Sequence, residues 1–306
     1  MRSPERIALP ASLRHAADGF VAAGRIPVPT RDAATVVLLR DGRRNGSVGG
    51  PEVYLLTRHG RMAFAPGMAV FPGGGVDDRD RESSVDSASW TGPDPDAWAR
   101  RLGCDPPTAL GLVCAAVRET FEEAAVLLAG PDGGSVVADT TGDDWEADRR
   151  ALVAKDVSLA TVLARRGLVL RADLLAAWAH WVTPDFEPRR YNTRFFVAAL
   201  PAGQRTRDVS SESETVAWMR AGDAVAAVEA GRLAMLPPTL RTCQDVARLD
   251  RAADALAAAT ARTIAPVEPK LVVDGGRMWL ETGEATGEAT GEETGEAGAD
   301  PIGPPR

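Results

Sequence analysis

Residues 118–123 read Arg118-Glu119-Thr120-Phe121-Glu122-Glu123, and this stretch decides the fold. If it is helical, its three carboxylates stand at positions i, i+3 and i+4 and share one face. Carboxylates on one face repel each other unless something positive sits among them, and clustered oxygen donors suit Mg²⁺ or Mn²⁺ better than Zn²⁺. The stretch therefore predicts a metal-binding face formed by Glu119, Glu122 and Glu123.

The neighbouring sequence predicts how this helix is held. On the opposite face apolar side chains recur at helical spacing, at Val117, Phe121, Ala124 and Leu128, which is typical of a helix docked on a core. We expect the helix at about Gly111–Leu128. Upstream, Phe71-Pro72-Gly73-Gly74-Gly75 is a glycine turn whose backbone can come close to a ligand.

Together the turn and the helix resemble the signature of the Nudix hydrolase superfamily, called the box below. In that family a glycine is followed by five residues, a glutamate, seven residues and Arg-Glu-x-x-Glu-Glu-x-Gly. Here Arg118 comes 44 residues after Gly74 instead of 14, and the late glycine is Ala125. Counted back from Arg118, the early glutamate falls on Leu110. We interpret residues 77–107 as an insertion that replaces the loop carrying this glutamate.

An interrupted box narrows the resemblance to the subgroup of the peroxisomal coenzyme A diphosphatase. Two further pairs of segments are similar to that subgroup: 55–58 with 67–74, and 181–184 with 188–196. The resemblance implies an α/β fold, the Nudix α/β/α sandwich with a mixed β-sheet, plus additional helices and an inserted loop. We expect this domain over residues 31–280, after an N-terminal extension of residues 1–30.

Local patterns predict the order of the elements. Strands are expected at Ala33–Leu39 and Glu52–Thr57 around a polar loop, and one short helix in the insertion near Asp96–Leu102. Farther along we expect helices at 145–166 and 171–180, strands at Tyr191–Leu200 and Thr215–Met219, helices at Gly222–Ala230 and Pro238–Ala261, and a hairpin at Leu271–Leu280. Residues 281–306 repeat Thr-Gly-Glu, and this acidic tail is expected to be disordered.

The chemistry of the box assigns roles to its residues. We predict Glu119 and Glu123 as ligands of Mg²⁺ or Mn²⁺, and Glu122 as a third ligand or a base. The family resemblance adds the Gly73 carbonyl as a ligand and Arg118 as the group that orients a box carboxylate. The alternative is a solvated helix in which Arg118 and Glu122 merely pair at the surface.

Other candidate residues lie outside the box. Glu212 and Glu214, in a polar run before a strand, are candidates for a general base, because some family members supply a loop carboxylate from this region. His180 is more typical of a packed histidine. Guanidinium groups and an aromatic ring suited to phosphate and adenine are offered by Arg58, Arg61, Arg189, Arg190, Tyr191 and Arg194.

These features favour hydrolysis of a diphosphate linkage in a nucleoside diphosphate derivative. Coenzyme A or acyl-coenzyme A is the first candidate, because its 3′-phosphate would give an arginine cluster away from the metal a purpose. The alternatives are an ADP-ribose or dinucleotide pyrophosphatase, and a ligand-binding module with the Nudix fold that has lost hydrolysis.

Composition agrees with a soluble enzyme. The chain has 306 residues, 44% hydrophobic and 25% charged, which is ordinary for a globular protein. A net charge of −8 argues against bulk nucleic-acid binding. No apolar run is long enough to span a membrane and no signal sequence stands out, so we expect a cytoplasmic protein with reduced cysteines. The sequence leaves the oligomeric state open.

Overall fold

The structure is a computed structural model that describes residues 5–9, 11–44, 47–60, 65–81, 89–209 and 213–282. Within these residues a mixed sheet lies between two layers of helices. The strands are β1 Glu5–Ala8, β2 Thr30–Arg44, β3 Ser47–Arg58, β4 Ala69–Val70, β5 Gly73–Gly75, β6 Trp90–Thr91, β7 Ala129–Gly130, β8 Val169–Arg171, β9 Ala176–Val182, β10 Arg190–Ala199, β11 Ser213–Arg220, β12 Pro266–Val267, β13 Lys270–Asp274 and β14 Arg277–Thr282. The helices are α1 Ala11–Ala22, α2 Asp78–Arg81, α3 Pro95–Leu102, α4 Pro106–Ala124, α5 Asp143–Val153, α6 Leu159–Arg166, α7 Ala221–Glu229, α8 Pro237–Val246 and α9 Ala252–Ala261.

The central sheet has the order β11-β3-β2-β10-β9-β12, with β4 beside β3 and β5 beside β2. The neighbours β2 and β10 run parallel, whereas β3 and β9 are antiparallel to them. Successive side chains of a strand point to opposite faces. In β2, Val36 and Leu38 belong to the core that includes α4, whereas Val37 and Leu39 belong to the core that includes α7, α8 and α9. The expected α/β/α sandwich with a mixed sheet is therefore confirmed.

The prediction of a helix at residues 171–180 is wrong. This segment forms β8, one turn of 3₁₀ helix at Ala172–Leu174, and β9, which pairs antiparallel with β10. Its alanines and leucines have good helix propensity, but pairing inside a sheet that is covered on both faces overrides this preference. A strand covered on both faces also lacks the apolar and polar alternation that would have revealed it.

Two predicted helices are each divided in the structure. The segment 145–166 forms α5 and α6, because Lys155 takes a left-handed conformation and Ser158 caps α6 by accepting from the Thr161 amide. The segment 238–261 forms α8 and α9. Strands β2 and β3 extend into most of the predicted loop between them, while the hairpin of β13 and β14 is confirmed.

The insertion is tied to the domain at several points. It contains the expected helix as α3, together with the single turn α2 and the strand β6, which pairs with β8. At the N-terminus, β1 pairs with β14 and belongs to a small separate sheet. The tail from residue 283 lies outside the described residues, and none of the described helices is long and apolar enough to cross a membrane.

Candidate active site

Helix α4 carries the box stretch, and local signals determine both of its ends. Asp105 caps its N-terminus by accepting a hydrogen bond from the Thr108 amide at 2.8 Å, and Pro106 occupies the first turn. The helix ends at Ala124, and the next residue, Ala125, adopts a left-handed conformation with φ 56°. Because glycine takes this conformation most easily, the geometry explains why the family pattern has a glycine there. The predicted end at Leu128 is therefore wrong by four residues.

The glycine turn packs directly against α4. Its strand β5 pairs with β2, and the Gly73 amide donates a hydrogen bond to Glu123 Oε2 at 2.8 Å. A Cβ atom placed on Gly74 would lie 2.4 Å from Glu119 Oε1. Glycine at this point leaves room for the carboxylate of Glu119, which occupies the space that a side chain would fill.

Arg118 joins the carboxylates of the site. Its Nη1 donates to Glu119 Oε1 at 2.7 Å and to Glu122 Oε1 at 3.1 Å. Its Nε and Nη2 bind Asp80 Oδ1 and Oδ2 at 3.0 and 2.9 Å, and Nη2 also donates to the Gly75 carbonyl at 2.9 Å. The Arg118 side chain is 9% exposed, so these are buried charge-assisted bonds rather than a surface pair.

Asp80 is the functional residue that the sequence analysis missed. It lies in α2, at the start of the insertion, and only 2% of its surface is exposed. The family pattern counted back from Arg118 reaches Leu110, but counted forward from Gly74, with five residues between, it reaches Asp80. The early acid is therefore present as a shorter aspartate, and the extra residues follow it. Counting forward from the glycine was the signal that could have found it.

The site is short of positive charge. Burial raises the pKa of Glu119 to about 7, with the neighbouring Glu122 adding to the shift and Arg118 opposing it. Burial also raises the pKa of Glu122. Burial alone would lower the pKa of Arg118, but its bonds to Asp80 and the nearby glutamates raise it above its ordinary range. Three carboxylates, those of Asp80, Glu119 and Glu122, are thus bonded to Arg118, and Glu123 follows Glu122 on the same helix.

This donor set fits a hard divalent cation by charge and by ligand chemistry. Among the residues that the structure describes, no three acidic, histidine or cysteine side chains are already arranged around one metal position. Glu119 and Glu122 are instead drawn to Arg118, and Glu123 to the Gly73 amide. A bound cation would compete with these partners for the same oxygens.

Helix α5 buttresses the end of α4. Arg149 Nη1 donates to the Glu122 carbonyl at 2.8 Å, and Glu146 accepts bonds from Arg149 at 2.7 and 3.0 Å. Bonds from Arg149 lower the pKa of Glu146 to about 2. The Trp145 ring packs edge to face on Phe121, with the ring centroids 6.2 Å apart. These contacts hold the backbone on which Glu122 and Glu123 stand.

The expected base region is only partly described. Glu212 lies outside the described residues, and Glu214 contacts His59 at 3.4 Å and the Gly60 amide at 3.3 Å. A further carboxylate, that of Asp208, affects Tyr54 together with the box residue Glu123. Tyr54 Oη donates to the Arg207 carbonyl at 3.0 Å, and burial followed by the charges of Asp208 and Glu123 raises the pKa of Tyr54. Asp208 is exposed, and the sequence analysis had not singled it out.

The structure separates the predicted substrate residues. Arg189 is exposed, whereas Arg190 is committed to the protein, since its three side-chain nitrogens bind the Thr183 and Val28 carbonyls and Glu268. The other four predicted substrate residues differ in where they lie and in their hydrogen bonds. Arg61 lies outside the described residues, the Arg58 amide donates to Met68, the Tyr191 amide donates to Thr183 Oγ1, and Arg194 is buried. Their substrate roles stay predictions.

The sandwich and the carboxylate helix beside a glycine turn define a Nudix-fold protein of the hydrolase superfamily. The family model of the NUDT19 Nudix domain matches residues 96–249, half of the chain, and the chain therefore belongs to that family.

Individual relatives agree with this placement. The chain is 28% identical over 254 residues to acyl-coenzyme A diphosphatase NUDT19 of Gallus gallus, covering 68% of this chain and 65% of the relative. It is 26% identical over 220 residues to putative nudix hydrolase 7 of Caenorhabditis elegans, covering 70% and 60%. The crystal structure of a NUDIX hydrolase from Alicyclobacillus acidocaldarius superposes with a TM-score of 0.61 at 26% identity, covering 75% of this chain and 96% of that chain. The chain thus spans less than two thirds of the length of these curated relatives.

Proposed function

We propose that the protein is a metal-dependent diphosphatase that hydrolyses the diphosphate linkage of nucleoside diphosphate derivatives. Coenzyme A or acyl-coenzyme A is the first candidate, giving 3′,5′-ADP and (acyl) phosphopantetheine. The observation that carries the proposal is the buried carboxylate cluster around Arg118, which lacks positive charge beside a glycine turn. The name of the Gallus gallus relative, an acyl-coenzyme A diphosphatase, supports the choice of substrate.

Each residue of the site has a proposed role as a metal ligand, an orienting group or a base. Glu119 and Glu123 would hold Mg²⁺ or Mn²⁺, with Glu122 as a third ligand or a base and the Gly73 carbonyl as a further ligand. Such an ion neutralises a diphosphate and lowers the pKa of a bound water. Arg118, anchored by Asp80, orients the carboxylates. Asp208 and Glu212 are candidates for the group that takes a proton from the attacking water.

The 3′-phosphate of coenzyme A favours coenzyme A as the substrate over ADP-ribose and dinucleotides. ADP-ribose and dinucleotides offer the diphosphate and adenine but lack the 3′-phosphate. Because Arg190 is already bonded to the protein, exposed Arg189 and buried Arg194 are the arginines of the β10 region left to contact this group.

The alternative to an enzyme is a ligand-binding module with the Nudix fold that has lost hydrolysis. It drew support from the missing early acid and from Ala125 in place of glycine. The structure removes much of this support, because Asp80 binds Arg118 from the position of the early acid and Ala125 still adopts the left-handed conformation.

Calorimetry with coenzyme A and with ADP-ribose, each with and without Mg²⁺, separates binding from turnover. A diphosphatase gives sustained, Mg²⁺-dependent heat and 3′,5′-ADP from coenzyme A. A binding module gives a saturable heat with no product, which would contradict the proposal. Fast turnover of ADP-ribose without turnover of coenzyme A would instead identify the protein as an ADP-ribose or dinucleotide pyrophosphatase.

A further inference from the structure

The insertion covers a second polar cluster, which is separate from the box. His180 Nε2 lies 2.5 Å from Asn192 Oδ1, and Asn192 Nδ2 donates to Asp32 Oδ1 at 3.2 Å. Arg81 of α2 donates to the other oxygen of Asp32 at 2.7 Å. Burial lowers the pKa of His180 to about 4, so its ring is neutral and adds no positive charge. The cluster therefore joins β2, β9 and β10 to the first turn of the insertion.

Arg194 lies beside this cluster, and two of its side-chain nitrogens are unpaired hydrogen-bond donors among the described residues. It is 3% exposed, and its Nη2 donates to the Leu102 carbonyl at 3.3 Å. Its Nε and Nη1 are buried and have no hydrogen-bond partner among the described residues. Burial lowers the pKa of Arg194, although a guanidinium keeps its proton near neutral pH. Buried donors of a charged group are costly to leave unpaired, so this arrangement calls for an acceptor.

The nearby carboxylates are already engaged. Both oxygens of Asp32 accept bonds, one from Asn192 and one from Arg81. Asp105 caps α4 by binding the amide and the hydroxyl of Thr108. Neither carboxylate hydrogen-bonds Arg194, so an acceptor for its free donors has to come from outside this set.

The sheet register relates Arg194 to the box. Arg194 pairs with Ala34 of β2, and Ala34 pairs with Gly74 of β5. Directly paired residues point to the same face, and neighbouring strands lie about 4.8 Å apart, so the Cα atoms of Arg194 and Gly74 are roughly 10 Å apart. Glu119 packs against Gly74. Arg194 is therefore on the same row of the sheet as the turn that meets the box carboxylates.

We propose that Arg194 is the centre of an anion site that takes one phosphate group. A guanidinium has two edges that match two phosphate oxygens, Nε with Nη2 and Nη1 with Nη2, and each edge of Arg194 includes one nitrogen without a partner among the described residues. Nη2 carries two hydrogens, and its bond to the Leu102 carbonyl uses one of them. The phosphate can be the phosphomonoester of a nucleotide substrate or free phosphate. Only the first source rests on the proposed function.

The test measures binding without turnover, in a chelator that removes divalent ions. Calorimetry with inorganic phosphate, adenosine 3′,5′-bisphosphate and AMP is performed on the parent, Arg194→Met and Arg194→Lys. Arg100→Met, which removes an exposed arginine of α3, is the matched control. Arg194→Met is expected to weaken phosphate binding by about tenfold or more, with Arg194→Lys intermediate and Arg100→Met unchanged.

The outcomes also identify the source of the phosphate. If Arg194→Met weakens the bisphosphate but not AMP, the site takes the 3′-phosphomonoester. If only inorganic phosphate is weakened, the site is separate from the substrate, and this result would stand even if the protein hydrolysed nothing. Melting curves add a second readout: phosphate should raise the melting temperature of the parent but not of Arg194→Met. Equal affinities in all variants for all three compounds would overturn the proposal.

Discussion

At the scale of single residues, Arg118 holds three carboxylates close together. It binds Asp80 with two bonds and reaches Glu119 and Glu122 with a third nitrogen. Removing one partner of a buried pair leaves an uncompensated charge, which costs more than the pair itself contributes. Asp80 and Glu123 should therefore respond differently to substitution, since one holds Arg118 and the other faces the proposed metal.

Asp80→Asn should destabilise the fold by about 3 kcal/mol, because asparagine has one acceptor oxygen for the two buried bonds from Arg118 and turns a donor toward the other nitrogen. Turnover should fall as well, since Arg118 loses its anchor. Denaturant unfolding measures the first effect. Asp78→Asn, two residues earlier with a 97% exposed side chain, is the control and should change stability by less than about 0.5 kcal/mol. A stable Asp80→Asn protein would show that the pair does not hold α2 on the box.

Glu123→Gln should lower kcat by roughly three orders of magnitude while leaving the fold intact. The amide oxygen of glutamine can still accept from the Gly73 amide, but it carries no charge for a metal. Steady-state turnover in saturating Mg²⁺ is the measurement, with exposed Glu229→Gln as the control. Turnover within about tenfold of the parent would remove Glu123 from the metal ligands.

At the scale of elements, the two glycines of β5 have different neighbours: Gly74 lies against α4 and Gly73 against β2. A Cβ on Gly74 meets the end of the flexible Glu119 side chain, whereas a Cβ on Gly73 would lie 2.5 Å from the backbone oxygen of Ala34. A side chain can move aside, but a strand backbone inside a sheet cannot do so cheaply.

The two alanine variants should therefore separate function from stability. Gly74→Ala should displace Glu119 and reduce turnover with a stability change below about 1 kcal/mol, while Gly73→Ala should cost about 1–3 kcal/mol. Thermal unfolding and turnover, measured on both variants, test this. Equal losses of stability in the two would mean that Glu119 is not free to move.

Helix α5 should make stability depend on pH in the acid range. Arg149, Arg150 and Arg207 face Glu146, whose pKa falls from 4.5 to about 2. A lowered folded pKa contributes stability above the unfolded value, and this is lost as the pH falls from about 4.5 through 2. Glu146→Gln should remove about 1 kcal/mol at pH 7 and flatten the profile in that window. Exposed Asp143→Asn is the control, and an unchanged profile in Glu146→Gln would contradict the assignment.

At the scale of the whole molecule, the sequence predicts what depends on local pattern. The helix periodicity around Phe121 predicts a helix docked on a core, and the box motif carries the family resemblance that implies the sandwich. The strand β9 was missed because its pairing with β10 overrides the helix propensity of its residues. Asp80 was missed because the family pattern was counted back from Arg118 and not forward from Gly74. The unsatisfied donors of Arg194 are likewise a property of tertiary packing, since the sequence shows only an arginine beside Phe195.

The central claim is that the box carboxylates serve hydrolysis of a nucleoside diphosphate derivative. The most direct measurement is product analysis of coenzyme A, dephospho-coenzyme A, ADP-ribose and NADH incubated with the protein and Mg²⁺ or Mn²⁺, beside the same incubations with Glu123→Gln. We expect metal-dependent release of 3′,5′-ADP and phosphopantetheine from coenzyme A by the parent and almost none by the variant. No hydrolysis of any of the four compounds with either metal, or equal release by parent and variant, would contradict it.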